Sequence, residues 1–520
     1  MTLTLPTDAL IAGYDFSTGG VKVRAFDLAG NTVAVARLPT DLWTEGGVSE
    51  LNLMQLEGQA RAGTRALVRE LGSDAKRLAA IGVSATHHTA GRIDAAHNQV
   101  RRAICWNDQT LAAYHAEGLA RQGGQERVRS LVGGPWAVRY SLSHLVKDAH
   151  QPEGHSDSLL PRSDWERTTR ILPHGPLAAG YLTGRFDCTS VSSAASTGIM
   201  NLATEEWCRP MLEAIAQPNY RELAWKSLPA IIGMYEPIGP VAEHLALDAG
   251  LPPGVRPLVY PTLDDQAAGL IGGGAVKAGQ VAIILGNSAV VNSSADRPAA
   301  GSLDVMKLNW GPYLWMRCYT NGAQFLDGIV GANRSATEWS SFTASAEKTP
   351  PLCNGVGVLP FAFSEPSIGV TQPRVEWYSV ADGGTIPAPA ETGVRVRAAF
   401  EAISYLIALG VRAHEEAGQS IEQITVSGGI ARNELMVRVL ASVLNRPLQL
   451  LKSDEGTALG AAVVALAGAE TSARQTRGRN EVFTALEAAR LIVAFRGTVT
   501  PEERWVAEYR RGLAAFEKRI

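Results

Sequence analysis

A chain of 520 residues is too long for one ordinary hydrophobic core, so two large domains are expected. With 46% hydrophobic and 19% charged residues the composition is that of a soluble globular protein, and a formal net charge of -3 gives no reason to expect nucleic acid or an anionic membrane as partner. Five scattered cysteines without a CxxC pair argue against a disulfide framework or zinc site and for a reducing cytoplasm, with no basic-then-apolar leader and no apolar run expected to reach the roughly 18 residues that span a bilayer.

Ile11 to Tyr14 reads as a strand running into Asp15-Phe16-Ser17-Thr18-Gly19-Gly20. Val21 to Phe26 follows as a second strand with Lys22 early in it, and Val33 to Arg37 returns as a third. Leu53, Leu56, Ala60, Leu67 and Leu71 recur at helical spacing until Gly72 stops the helix. Ala79 to Val83 is a buried strand opening into Ser84-Ala85-Thr86-His87-His88-Thr89. Loops at the C-terminal ends of α/β strands are where ligands bind, so the histidine pair reads as a polyol-binding loop, with a structural histidine as the plainer alternative. No third ligand at metal-site spacing accompanies the pair, so zinc is not expected there.

Val100 to Trp106 is expected to be the next strand, ending in Asn107-Asp108. An indole beside an amide and a carboxylate suits a sugar, with its apolar face and hydroxyl rim; a turn around a partly buried Trp is the alternative. Residues 120–175 carry several helical segments and no assigned chemistry. Leu177 to Leu182 reads as a helix stopped by Thr183-Gly184, and the Ser/Thr/Ala-rich 189–198 either lines a polar cleft or is a loop.

The centre of the chain, Pro261 to Ser294, reads as an acid pair, a small-residue helix, a glycine loop, a strand, a tight turn and a second strand. Val281 to Leu285 is an unbroken apolar run, as in a strand buried on both faces. Gly286-Asn287-Ser288 then offers free backbone N–H groups and a hydroxyl where no bulky side chain bars a phosphate. Asp264 and Asp265 stand about twenty residues upstream, and an acid beside a phosphate cradle is the minimal inventory for phosphoryl transfer. This strand, turn and strand repeat the plan of the N-terminus, which suggests two domains of similar architecture facing one nucleotide.

Tyr313 to Cys318 reads as a strand, the Pro/Gly-rich 344–393 as irregular, and Gly393 to Gly418 as a long helix. Ile424 to Ser427 then ends in Gly428-Gly429 and opens a helix near Asn433, neither GxGxxG nor a P-loop. Leu448 to Leu451 is a strand, Glu455-Gly456 precedes a small-residue helix, and the tail from Phe483 reads as helical.

Taken in order, Asp15-Phe-Ser-Thr-Gly-Gly-Val-Lys22, Trp106-Asn-Asp108, Leu182-Thr-Gly184, Asp265-Gln-Ala-Ala-Gly269, Gly286-Asn-Ser288 and Ser427-Gly-Gly429 resemble the FGGY carbohydrate kinases over about residues 10–470, and within them the xylulokinases most. The resemblance implies two actin/hexokinase-like (ribonuclease H-like) α/β domains, a sugar side at 1–272 and a nucleotide side at 273–520, with ATP, Mg²⁺ and sugar in the cleft between them. It implies Asp265 as the catalytic base, with Asp264 as the competing candidate. His88, Trp106, Asp108 and Gln266 would serve the sugar and Asp15 the Mg²⁺. Thr18, Lys22, Gly286, Asn287 and Ser288 would serve the phosphates, and Gly428, Gly429 and Asn433 the adenosine. The chain departs from the family at Asn287, where Gly-Thr-Ser is usual, and at Ala85-Thr86-His87-His88, where Gly-Gln-(Met/Gln)-His is usual. The implied reaction is phosphorylation of D-xylulose to D-xylulose 5-phosphate. The alternatives are another sugar, polyol or sugar acid (ribulose, gluconate, erythritol) or a non-catalytic ATP-binding sugar sensor. Partners beyond small molecules are not expected, and a homodimer is left open.

Overall fold

The computed structural model describes residues 3–150, 162–332, 335–453 and 455–520. The opening hairpin forms between Leu10–Ser17 and Gly20–Phe26, with Asp15 opposite Lys22. Thr32–Leu38 adds to it antiparallel, while Leu78–Ala85 pairs parallel with Leu10–Ser17 and is itself paired parallel by Leu258–Val259 and Leu263–Asp264. Gly239–Pro240 completes a seven-stranded sheet. Leu10–Ser17 is buried along nearly its whole length because both faces are covered, the requirement of a central strand between helical layers. Helix Gln55–Leu71 covers one face, where Thr64 bonds the Tyr14 hydroxyl at 3.0 Å.

The second sheet repeats this plan. Gln280–Leu285 and Ala289–Ala295 form the hairpin, and Tyr313–Tyr319 adds antiparallel with Asp304–Lys307 at its edge. Gln423–Ser427 and Leu448–Leu451 continue parallel on the other side. Three antiparallel strands followed by two parallel ones thus occur twice, and the expected fold class is found. Helix Thr392–Glu416 buries most of its length against the second sheet, with Phe400, Ile403, Leu406 and Ile407 in its core.

Helix Gly456–Thr476 leaves the second sheet and packs on the first. A Cβ at Gly13 or Gly82 would stand 1.8 or 1.9 Å from the carbonyl oxygens of Ala458 and Ala461. The same helix meets Asp265–Gly272, where a Cβ at Gly460 would stand 1.9 Å from the Ala268 oxygen. Backbones this close explain why both helices are built from Gly and Ala. The expectation that no apolar run reaches membrane-spanning length is corrected by this helix, whose 21 residues are long and apolar enough; 78% of its most apolar window is buried inside the protein.

Other expectations change with tertiary context. Of Val100–Trp106 only Ala103–Ile104 is strand, because the chain turns at Cys105 so that Asp108 can accept from Ser49 N. Residues 344–393 are not irregular: helix Ala336–Lys348 extends into them, and Val356–Phe361 pairs with Arg374–Ser379. Pro366, Gly369 and Pro373 punctuate the connection between the two strands of that hairpin, while Gly357 and Pro360 lie within the first strand. The tail holds a strand, Phe495–Val499, between two helices, because Leu448–Leu451 offers it a free sheet edge. The Ser-rich 189–198 region contains a short strand, Cys188–Ser190, and a helix, Val191–Ala195, capped by the Ser190 side chain.

Candidate active site

Strand register brings the acids together. Asp15 lies opposite Ser84 and Asp264 opposite Ala85, on either side of one strand, so Asp15, loop 86–89 and Asp264-Asp265 share the C-terminal edge of the first sheet. The two adjacent acids are not equivalent. Asp264 caps helix Asp265–Gly272, accepting from the backbone N–H of Gln266 at 3.0 Å and Ala267 at 2.9 Å, and its second oxygen accepts from Ser192 Oγ at 2.6 Å. Asp265 opens the helix with weaker partners, both from Gln266: its Nε2 at 3.4 Å and its backbone N–H. Burial, then the charges of Asp264 and Asp15, push its carboxyl well above the usual carboxylate range.

Beside the acids stands a stack of three rings. His87 and His88 lie 3.7 Å apart at 13°, and His88 lies 4.4 Å from Tyr140 at 20°. His88 donates from Nδ1 to Ser196 O at 2.7 Å, which leaves its Nε2 as an acceptor. His87 directs Nδ1 toward Asp264 Oδ1 at 3.7 Å. Both Nε2 atoms are buried without a partner among the described residues. Burial keeps both rings neutral, lowering His87 to about 4 and His88 well below its ordinary value. His87, Asp264 and Asp265 bring ligand atoms within 4.8 Å, a third ligand that sequence spacing could not supply. With the Asp264 oxygens committed to the helix cap and Ser192, this group falls short of a four-ligand set.

Asp15 is buried, accepts from Ser84 Oγ at 3.2 Å and from Thr457, and has Lys22 Nζ at 3.7 Å. Burial raises its pKa against the opposing pull of Lys22. Lys22 also pairs with Glu455 at 3.2 Å, and Glu455 reaches Arg37 at 2.7 Å and Arg24 at 3.8 Å. A buried carboxylate whose charge is opposed by desolvation suits an oxygen-seeking dication such as Mg²⁺, while the neighbouring cations suit anionic phosphate. Thr18 is half-exposed in the adjoining turn.

The second sheet contributes backbone. In the Gly286-Asn287-Ser288 turn, the carbonyls of Gly286 and Asn287 accept from Ala323 N at 2.9 Å and Gly322 N at 3.1 Å, and Asn287 is exposed. Parallel pairing of Ile284 with Ser427 sets Gly428 beside this turn. Gly428 has φ +99°, and a Cβ there would meet the Leu285 oxygen at 2.4 Å; only glycine fits. Gly428 lines a cavity of about 240 Å³ whose other walls include Arg432, Lys452 and Arg496, and Gly429 has no neighbour within 4 Å of a would-be Cβ. The two halves meet at Cys318, which bonds Ser288 and feels the Asp265 charge, and at Gln266, which accepts from Asn292 at 2.9 Å.

Two residues expected as ligands are already engaged. The Asp108 carboxylate accepts from Ser49 N at 3.1 Å and Thr110 N at 2.8 Å and faces Lys147 at 3.6 Å, so it fixes the turn that carries half-buried Trp106. Asn433 caps helix Glu434–Leu444 through Met436 N at 3.0 Å, and its amide nitrogen donates to Thr343 at 2.9 Å. Sequence reasoning missed Tyr140, Ser192 and Glu455. Tyr140 lay in residues 120–175, to which no chemistry was assigned, and Ser192 lay in a stretch read as cleft or loop.

The N-terminal-domain model of the FGGY family of carbohydrate kinases matches residues 10–272, and its C-terminal-domain model matches residues 374–469. A glycerol kinase of Paraburkholderia xenovorans is 26% identical over 478 residues, covering 88% of this chain and 89% of that protein. A xylulose kinase of Haemophilus influenzae is 23% identical over 399 residues, covering 74% of each chain. Among solved structures, a xyloylose kinase from Brucella ovis superposes with a TM-score of 0.79 at 22% identity over 98% of both chains. Relatives named for different acceptors therefore match at similar identity.

Proposed function

Because this chain belongs to the FGGY family of carbohydrate kinases, which use ATP with Mg²⁺, we propose that it phosphorylates O5 of D-xylulose to give D-xylulose 5-phosphate. The observation that carries the reading is the division of labour at 264–265. One carboxylate is locked into a helix cap, and the next is held by Gln266 alone among the described residues, desolvated and raised in pKa. A base so placed accepts the hydroxyl proton as the sugar oxygen attacks the γ-phosphorus and the bond to the β-phosphate oxygen breaks, releasing ADP. His88 and Gln266 meet sugar hydroxyls and Trp106 packs on the carbon skeleton, with Asp108 holding that turn. Thr18, Lys22, Gly286, Asn287 and Ser288 surround the phosphates. Gly428 and Gly429 give the adenosine a close backbone approach, and Asn433 supports it by capping the next helix. Asp15 would hold Mg²⁺, which when bound neutralises charge on the β- and γ-phosphates. Residues 1–272 form the sugar side and 273–520 the nucleotide side.

The glycerol kinases among the relatives favour a second acceptor, a short polyol. ADP release measured across pentuloses, polyols and sugar acids separates the two. The expected result is highest kcat/KM with D-xylulose. A preference for glycerol or another polyol replaces the substrate, and ATP turnover independent of every acceptor removes the kinase reading.

A further inference from the structure

The ring stack beside the acids is gripped at both ends by a hairpin of the opposite sheet. At the Tyr140 end, Asp304 of strand Asp304–Lys307 is ion-paired with Arg139, and the Tyr140 hydroxyl donates to the same carboxylate at 3.3 Å. At the Asp264 end, Asn309, in the turn before strand Tyr313–Tyr319, accepts from Ser192 N at 2.8 Å and donates to Thr262 O at 3.0 Å. Ser192 in turn bonds Asp264, which faces His87. Among the described residues no hydrogen bond or ring contact joins the hairpin to either imidazole, yet it holds the residues flanking both.

We propose that Asp304 and Asn309 are positioning residues, a clamp from the second lobe that completes the acceptor pocket of the first lobe when the two close together. The proposal rests on the sugar-kinase reading. Without the clamp, the Tyr140 hydroxyl keeps the weak acceptor Met306 Sδ at 3.4 Å but loses its charged partner, and the His88 Nε2 acceptor it backs is held less firmly in place. Fixing such groups before the acceptor arrives is what binding energy otherwise has to supply. The phosphate turns at 18–22 and 286–288 lie outside the clamp, so acceptor and nucleotide parameters separate.

The test compares Asp304→Ala, Asp304→Glu and Asn309→Ala with the wild-type protein, each first shown to be folded by its thermal transition. Losing a charged hydrogen bond corresponds to a rise of about tenfold or more in the acceptor KM. The ATP KM should stay unmoved, and Asp304→Glu should recover part of the loss. An acceptor KM unchanged in both alanine variants, or an equal rise in the ATP KM, overturns the proposal. Small-angle scattering of the Asp304→Ala/Asn309→Ala protein without ligands supplies a readout free of activity. Its radius of gyration should exceed that of the wild type, and identical profiles overturn the clamp. If the wild-type protein turns over no acceptor, the sugar-kinase reading fails by itself and the scattering comparison alone decides the clamp.

Discussion

Asp264 and Asp265 show how one residue of register separates structure from chemistry. The cap geometry uses the first side chain completely and turns the second into a space where three carboxylates repel one another. Asp265→Asn should keep sugar binding and lose about 10²–10⁴-fold in turnover, read as kcat against a calorimetric Kd. The same variant should be as stable as the wild type or more so by roughly 0.5–2 kcal/mol, because a destabilised charge is removed. The sign follows from the raised pKa: the folded state holds this proton more tightly than the unfolded one, so the penalty grows as pH rises above the unfolded value. For the reaction, the base works deprotonated. The acid limb of the kcat–pH profile should therefore lie well above the ordinary Asp value of 3.8.

Helix Asp265–Gly272 carries the acid, and its position is set by contact with Gly456–Thr476. With a Gly460 Cβ 1.9 Å from the Ala268 oxygen, Gly460→Ala has no side-chain rotation that relieves the clash; backbone must move. We expect about 1–3 kcal/mol of destabilisation, measured by denaturant midpoint, together with a fall in kcat as Asp265 shifts. The small-residue composition of both helices is thus a packing requirement that also places the site. In the loop after Leu78–Ala85, His88 takes φ +59°, a conformation uncommon for a residue with a Cβ, and the bond from its Nδ1 to Ser196 holds the ring in the stack.

Across the whole molecule, six histidines among the described residues are buried and held toward the neutral form by desolvation: His87 and His144 at about 4, His174 and His414 at about 3, and His88 and His115 below the usual value. Each has a folded pKa below its unfolded value of 6.5, so the unfolded chain binds protons first as pH falls. The histidine contribution to stability should be fully present above pH 6.5 and decline as pH drops from there toward about 4, each group adding up to ~1.4 kcal/mol per pH unit, while Asp15, Asp265, Glu365 and Glu401, whose burial raises their pKa, contribute with the opposite sign. Thermal unfolding across that range at constant ionic strength, compared between the wild type and His174→Gln, checks it: the variant should lose less stability on acidification, and equal losses would contradict the burial of that ring. The glycine turns, the acids and the ring stack lie where the two sheets face each other, so loss of stability and loss of activity should run together on the acid side.

Local sequence was enough for the repeated plan of the fold. Val281–Leu285 and Ile11–Tyr14 announce central strands because burial on both faces forces apolar residues at every position, and the turns after them announce themselves through Gly, Asn and Ser. The glycine turns and Asp15 were readable for the same reason: each requirement is met within a few residues. What tertiary structure decided is everything that depends on a partner distant in the chain. Asp108 and Asn433 looked like ligands until Ser49 and Thr343 took their polar atoms; the sequence already favoured Asp265 over Asp264, and what the structure added is the reason, the commitment of Asp264 to Ser192 and the helix N–H groups. Tyr140 entered the site through a ring stack, and Glu455 through three cations more than 400 residues earlier. Hydrogen-bonding capacity is finite, and which groups keep theirs for a ligand is settled only by folding.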